Sequence, residues 1–357
     1  MLKDILKLGR QKLWTIHREQ IRDEHKLTYL FWECTMNCNF FCKHCGSSAG
    51  RKHFSNELTT EEIKKAFREI AEDYDAKQIT VAITGGEPLM RKDIFDVMGY
   101  ASSLGFPWGM VTNGFMVNEE IVEKMKEAGM KTIDVSIDGI GKVHDDFRST
   151  ENAYKHAINA VKLLKKADFL NPLRISSSIS KKNIHQLEEM YEAFKALGIS
   201  AWRLINVDPI GRAGESDDLL LSHDELEYLL RFIKEKRAKR EIDVTFGCSM
   251  YLGPEFEDEV RGYFFYCSTG INIGTILQNG DIYVCPNVPR RPEHIQGNIK
   301  NDRFSKVWEN GFKFFRDKNR LHCGKCAKCE HWDECLGGSM HLWNFDKKEQ
   351  KRCFMTE

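Results

Sequence analysis

Strand-like and helix-like segments alternate with a regular period from residue 28 to about residue 240, and nothing else in the chain constrains its fold so tightly. The strand-like runs, 28–33, 78–84, 108–112, 132–137, 173–179 and 201–207, are short, β-branched or aromatic, and bounded by Gly, Asn, Asp or Pro. Amphipathic stretches such as EEIKKAFREIAEDYD and NEEIVEKMKEAGM lie between them. Helix ends are marked too: Thr59 with Glu62 fits a capping box, and Gly105, Gly129 and Gly198 fall where C-caps belong. Parallel strands need crossover connections, so six such units in a row predict an α/β fold, a (β/α)6 partial barrel rather than a closed eight-unit one. In parallel barrels the working residues sit at the C-terminal ends of strands and in the loops that follow.

Beyond about residue 240 strands shorten, and Gly, Pro, Asn and cysteine become frequent. The run FYCSTGINIGTILQNGDIYVCP reads as a hairpin turning at Asn279-Gly280. The chain thus divides into an N-terminal amphipathic helix (1–27), the barrel (28–240) and a small cysteine-rich α+β domain (241–357). In the first segment Leu2, Ile5, Leu6, Leu13, Trp14 and Ile16 supply the apolar face, and packing on the main domain is preferred to a membrane-surface anchor.

Lys plus Arg (53) equals Asp plus Glu (53), so bulk charge offers no attraction to nucleic acid or acidic membranes. No apolar run has the roughly 20 residues of a membrane span, and the N-terminus lacks the apolar core of an export signal. The expected location is therefore the cytoplasm. Twelve cysteines are clustered, with Cys34, Cys38, Cys42 and Cys45 early and eight after residue 247. Without export, clustered cysteines point to metal rather than disulfides.

Cys38, Cys42 and Cys45 are spaced C-x3-C-x2-C directly after the first strand. A loop can wrap three such thiolates around a 4Fe–4S cluster, which normally takes four, and one iron stays free for an outside ligand. Thr84-Gly85-Gly86-Glu87-Pro88 ends the second strand, Thr112-Asn113-Gly114 the third, and Ser136-Ile137-Asp138-Gly139 the fourth, followed by His144 and Arg148. Pro209-Ile210-Gly211-Arg212-Ala213 follows the sixth. Every one falls where the barrel places a site.

This ordered set resembles the radical S-adenosylmethionine superfamily. The resemblance implies that Cys38, Cys42 and Cys45 ligate the catalytic cluster, and that Gly85, Gly86 and Glu87 bind the amino group of the cosubstrate's methionine. It implies that Ser136 and Arg148 contact ribose or the methionine carboxylate. His44 stands where the family often has an aromatic near the adenine, and packing or a backbone contact is expected of it. Cys34, on the strand itself, reads as an inert buried thiol.

The later cysteines resemble the so-called SPASM extension of peptide-modifying relatives, which holds two auxiliary 4Fe–4S clusters. Cys267 and Cys285 match its opening, and Cys326, Cys329, Cys335 and Cys353 would ligate the distal cluster. The family's cysteine four positions after Cys335 is here Ser339, leaving the first auxiliary cluster with an open iron, a substitute ligand or no cluster. Cys248 and Cys323 are the spare thiols that could compensate. Zinc is the alternative occupant of such CxxC pairs. A second departure is Cys285-Pro286-Asn287, which lacks the carboxylate base of sulfatase-maturing relatives, and an amide takes no proton at neutral pH.

The resemblance implies reductive cleavage of S-adenosylmethionine to a 5′-deoxyadenosyl radical that abstracts hydrogen from a substrate. The expected substrate is a ribosomally made peptide or protein, with a haem-precursor or other cofactor pathway as the alternative. The expected electron donor is of flavodoxin or ferredoxin type, and since only about 27 residues precede the first strand, a peptide substrate would need a leader-binding partner protein or direct recognition by the barrel. The reading from another class is a non-enzymatic zinc or iron–sulfur interaction module.

Overall fold

The computed structural model describes residues 2–50 and 56–356, with side chains from residue 9 onward. Six parallel strands form where the sequence pattern places them: β1 (Tyr29–Thr35), β2 (Thr80–Gly85), β3 (Trp108–Thr112), β4 (Thr132–Ser136), β5 (Leu173–Ile179) and β6 (Ala201–Asn206). They pair in chain order, each crossing over through a helix, and the sheet curls as a partial barrel. Two further parallel strands flank them, β7 (Asp243–Phe246) beside β6 and β8 (Ile273–Ile276) beside β1. The expected hairpin forms from β8 and β9 (Asp281–Tyr283), and β10 (Gly297–Asn298) ends a ten-stranded sheet. Residues past 240 therefore complete the barrel sheet at both edges before entering the cysteine-rich loops.

Alternation along β1 explains how the sheet is seated. Leu30, Trp32 and Cys34 are fully buried on one face, with Trp32 edge-on to Phe67 of the helix Thr60–Asp73. Burying side chains of this size contributes about 1.5–3 kcal/mol each. Glu33 points the other way, is equally buried, and pairs with Arg290 from the loop after Cys285. Thr59 and Glu62 close the expected capping box on that helix, and Gly105, Gly129 and Gly198 take positive φ just past helix ends.

The N-terminal helix (Leu2–Glu24) packs through an unexpected face. Leu13 and Ile16 are 68% and 60% exposed, whereas Arg18 is buried and donates to the carbonyls of Asp333 (2.8 Å) and Glu334 (3.2 Å). Gln11, Trp14 and Thr15 join Arg18 against Tyr251, Phe264 and Phe265. Two main-chain acceptors at the end of a short helix outweigh a weak apolar stripe. The Leu2, Ile5 and Leu6 side chains lie outside the described residues. Among the described residues no helix is long and apolar enough to cross a membrane.

Candidate active site

The loop bearing Cys38, Cys42 and Cys45 is launched by an irregularity in β1. Pairing with β2 slips between Glu33 and Thr35, so the chain leaves the sheet as it passes the strand end. The loop closes on itself, with the Cys38 N–H donating to the Gly50 carbonyl (3.0 Å) and the Gly50 N–H to Met36 (3.2 Å). Glu57 clamps its start, accepting from the Thr35 hydroxyl (2.6 Å) and the Met36 N–H (3.1 Å).

Arg212 ties the loop to the end of β6. Its Nε donates to the Cys42 carbonyl (2.8 Å), a terminal nitrogen donates to Ala49 (2.7 Å), and the guanidinium lies 4.1 Å above the Phe41 ring. Nothing in the sequence around Arg212 marks its partners as carbonyls some 170 residues earlier.

The three thiols share one cavity of about 240 Å³ with the ends of β2 to β5. Gly85, Gly86, Glu87, His44, Ser136 and Arg148, all expected on the site, line it, together with Thr112, Asn113, Ser178 and Arg212. The glycines have a reason beyond ligand access. A Cβ on Gly85 would lie 2.1 Å from the Thr35 carbonyl oxygen, and one on Gly86 2.1 Å from that of Asn37. They let the β2 end lie against the cysteine loop, and the Gly86 and Glu87 N–H groups donate to Thr35 (2.7 Å) and Asn37 (2.9 Å).

Glu87 is buried, and its carboxylate is held by the Thr112 hydroxyl (2.7 Å) and the Asn113 N–H (2.8 Å). Burial raises its pKa, against the pull of these bonds, so an ammonium arriving here would meet a carboxylate that gains from a counter-charge.

Asp138 is the electrostatic hub. Burial works to raise its pKa, but Arg148, His44, His144 and a bond from the Ser178 N–H (2.7 Å) prevail and hold it below the usual carboxylate range. Arg148 Nε donates to Asp138 Oδ2 at 2.5 Å, which aims the rest of the guanidinium at the cavity, with Nη1 4.0 Å from Cys42 Sγ. The His144 Nδ1 accepts from the Asp138 N–H (2.9 Å). His44 stacks on Phe147 at 4.1 Å, burial pushes its pKa down to about 3, and its Nδ1 is buried without a partner. The expected packing role is thus joined by a buried ring nitrogen without a partner. Cys34 stays in the helix-facing core.

The later cysteines form two groups. Cys248 lies within electrostatic range of Cys267 and Cys285, its thiol 3.8 Å from the Ser339 hydroxyl. Ser339 is itself buried and donates to the Ser249 carbonyl. Cys326, Cys329, Cys335 and Cys353 come together as the second group, and Cys323 sits beside that one, near Cys326. Of the two spare thiols, only Cys248 is brought to the first group. Next to it Asp208 accepts from both Ser249 Oγ (2.9 Å) and Asn206 (2.7 Å) and meets His341 Nε2 (3.1 Å).

These donor sets fit iron–sulfur clusters. Burial pushes the Cys38 thiol up to about 12 and those of Cys285 and Cys326 to about 11, states that a bound cationic core reverses by taking them as thiolates. The Phe40 N–H already points at Cys38 Sγ (3.4 Å).

Residues 32–194 match the family model of the radical SAM superfamily, and residues 267–330 match that of an iron–sulfur cluster-binding domain, SPASM. The chain is 32% identical over 323 residues to the AdoMet-dependent heme synthase of Methanosarcina barkeri, covering 86% of this chain and 89% of that one. It is 28% identical over 314 residues to the mycofactocin maturase MftC of Mycolicibacterium smegmatis, covering 87% and 77%. Its fold is similar to that of Streptococcus suis SuiB bound to S-adenosylmethionine, with a TM-score of 0.71 at 19% identity, over 88% of this chain and 73% of that one. The family model, the shared length with these relatives and a parallel barrel that gathers three thiols at its strand ends agree: this chain belongs to the radical SAM superfamily and is an enzyme of its SPASM-bearing branch.

Proposed function

We propose that Cys38, Cys42 and Cys45 hold the catalytic 4Fe–4S cluster, that the cavity beside them takes S-adenosylmethionine, and that the substrate is a ribosomally made peptide or protein. The observation that carries this assignment is the single cavity joining the three thiols to the ends of β2, β3, β4 and β5. A cluster held by Cys38, Cys42 and Cys45 would supply the one electron that splits bound S-adenosylmethionine into methionine and the radical that starts chemistry on the substrate. The protein's own residues do the positioning. Glu87 offers a preoriented carboxylate to the methionine ammonium, and Arg148, aimed by Asp138, offers a cation to its carboxylate. Ser136 and the His44 ring remain for the ribose and the adenine side. Phe40 and Ala49, both buried, give the cavity an apolar wall beside the thiols that would limit water at a reactive radical.

On this reading Cys248, Cys267 and Cys285 hold a first auxiliary cluster, and Cys326, Cys329, Cys335 and Cys353 the distal one. The peptide reading is supported by this extension and by the likeness to mycofactocin maturases. A haem-precursor substrate is the second reading, supported by the 32% identity to a heme synthase. An external electron donor of flavodoxin or ferredoxin type is needed on either reading, and a leader-binding partner belongs to the peptide reading.

The test is anaerobic incubation with dithionite and S-adenosylmethionine, first alone and then with peptides encoded beside the gene or with iron coproporphyrin III. Formation of 5′-deoxyadenosine together with a Cys38-dependent mass change in a peptide supports the reading. Turnover of the porphyrin alone favours the second. Native zinc with no 5′-deoxyadenosine would overturn both.

A further inference from the structure

Lys318 is 3% exposed, and its Nζ is buried with no hydrogen-bond partner. An ammonium left unpaired in the interior is costly, and buried charges are ordinarily matched by an opposite one. Burial works against its charge, and the ionisable groups that act on it are Cys267, which favours the ammonium, and Arg320, which opposes it, with no carboxylate among them. Tyr266, the neighbour of Cys267 in the chain, presents its ring 6.0 Å from Nζ. Cys267 belongs to the group with Cys248 and Cys285. The anion that Lys318 lacks is thus the one a thiolate-bound cluster at these three cysteines would supply.

We infer that the Lys318 ammonium is the built-in counter-ion of the first auxiliary cluster and makes that cluster easier to reduce. The inference rests on the cluster assignment proposed above. Three thiolates around an oxidised 4Fe–4S core leave a net negative charge, and reduction adds one more. A fixed cation in a water-poor site stabilises the reduced form more than the oxidised form. The distal group is set differently, because the lysines lining its cavity, Lys325 and Lys351, are exposed to solvent and to screening. Lys318 therefore marks the first auxiliary cluster as the acceptor of the electron left on an oxidised substrate.

The experiment is an EPR-monitored redox titration of the full-length, cluster-loaded protein and of K318M and K318R, each with iron and sulfide counted. The expected result is that K318M lowers the midpoint of one auxiliary cluster while the other clusters keep theirs, and that K318R stays near wild type. The shift expected is at least tenfold in the reduced-to-oxidised ratio at fixed poise, about 59 mV for one electron. An unmoved midpoint in fully loaded K318M overturns the inference, and so does an equal shift in both variants, which would mean packing rather than charge. If K318M sheds about four irons, retention of iron and midpoint in K318R supports the counter-ion role, and loss in both overturns it. A wild-type protein that lacks the first auxiliary cluster sinks the cluster assignment itself, before any variant is compared.

Discussion

The Cα of Gly86 lies so close to Asn37 that a Cβ there would stand 2.1 Å from the Asn37 carbonyl oxygen. That carbonyl accepts the Glu87 N–H at 2.9 Å, so the contact joins the end of β2 to the loop that carries all three site thiols. The Gly86→Ala substitution cannot be absorbed by a flexible side chain, because the colliding atom is backbone. We expect a cost on the order of 3 kcal/mol concentrated in this loop. Anaerobically loaded G86A should carry about four fewer irons than wild type and form no 5′-deoxyadenosine, with the other clusters kept. Wild-type iron and activity in G86A would show that the loop does not depend on this contact.

Arg212 holds the same loop from the opposite side, and its planar fork reaches two carbonyls that one ammonium cannot reach together. The Arg212→Lys substitution also loses the stacking on Phe41. A loss of about 1–3 kcal/mol in local stability is expected, which should make iron loss to a chelator about tenfold faster or more. The check is the time course of iron release under anaerobic conditions, and an unchanged time course would remove Arg212 from the role of loop tether.

Burial pushes the His144 pKa down to about 4, with Arg148 adding to the effect and Asp138 opposing it. In the unfolded chain a histidine titrates near 6.5, so between these values the unfolded state binds the extra proton and stability falls as pH falls. Its share of stability is whole above about 6.5 and is lost progressively down to about 4. Going from pH 7 to pH 5 should cost on the order of 2 kcal/mol through this one residue. Urea unfolding at both pH values compares wild type with H144N, and equal pH dependence in the two would refute the assignment.

Much of this site was legible because its pieces are local in sequence. C-x3-C-x2-C, the two glycines before Glu87, and Ser136 all follow strands whose period is plain, and the barrel brings strand ends together. What stayed hidden depends on contacts between distant residues. Arg212 and the Cys42 carbonyl are 170 positions apart, and Lys318 is recognisable only by being buried without a partner. β7 escaped because four residues beginning with an exposed Asp243 give no reliable alternation. Leu13 and Ile16 misled because an apolar stripe says which face can pack, whereas the backbone acceptors of Arg18 decided which face does.

The choice between Cys248 and Cys323 as substitute for the missing fourth cysteine gives the last prediction. Both are spare in sequence, and Ser339 occupies the family's position in Cys335-Leu-Gly-Gly-Ser339. Ser339 is already committed, donating to the Ser249 carbonyl while the Cys248 thiol lies 3.8 Å from its oxygen. Cys323 faces elsewhere, its thiol 3.6 Å from the Lys348 carbonyl and on the wall of the distal cavity. The C248S variant should therefore lose about four irons per chain, and C323S should lose none. The C248S loss should spare the radical chemistry that begins at Cys38, so 5′-deoxyadenosine still forms while substrate oxidation fails. Iron counted beside 5′-deoxyadenosine reads both points at once. The reverse pattern, with C323S losing the iron and C248S keeping it, would reassign the first auxiliary site to Cys323.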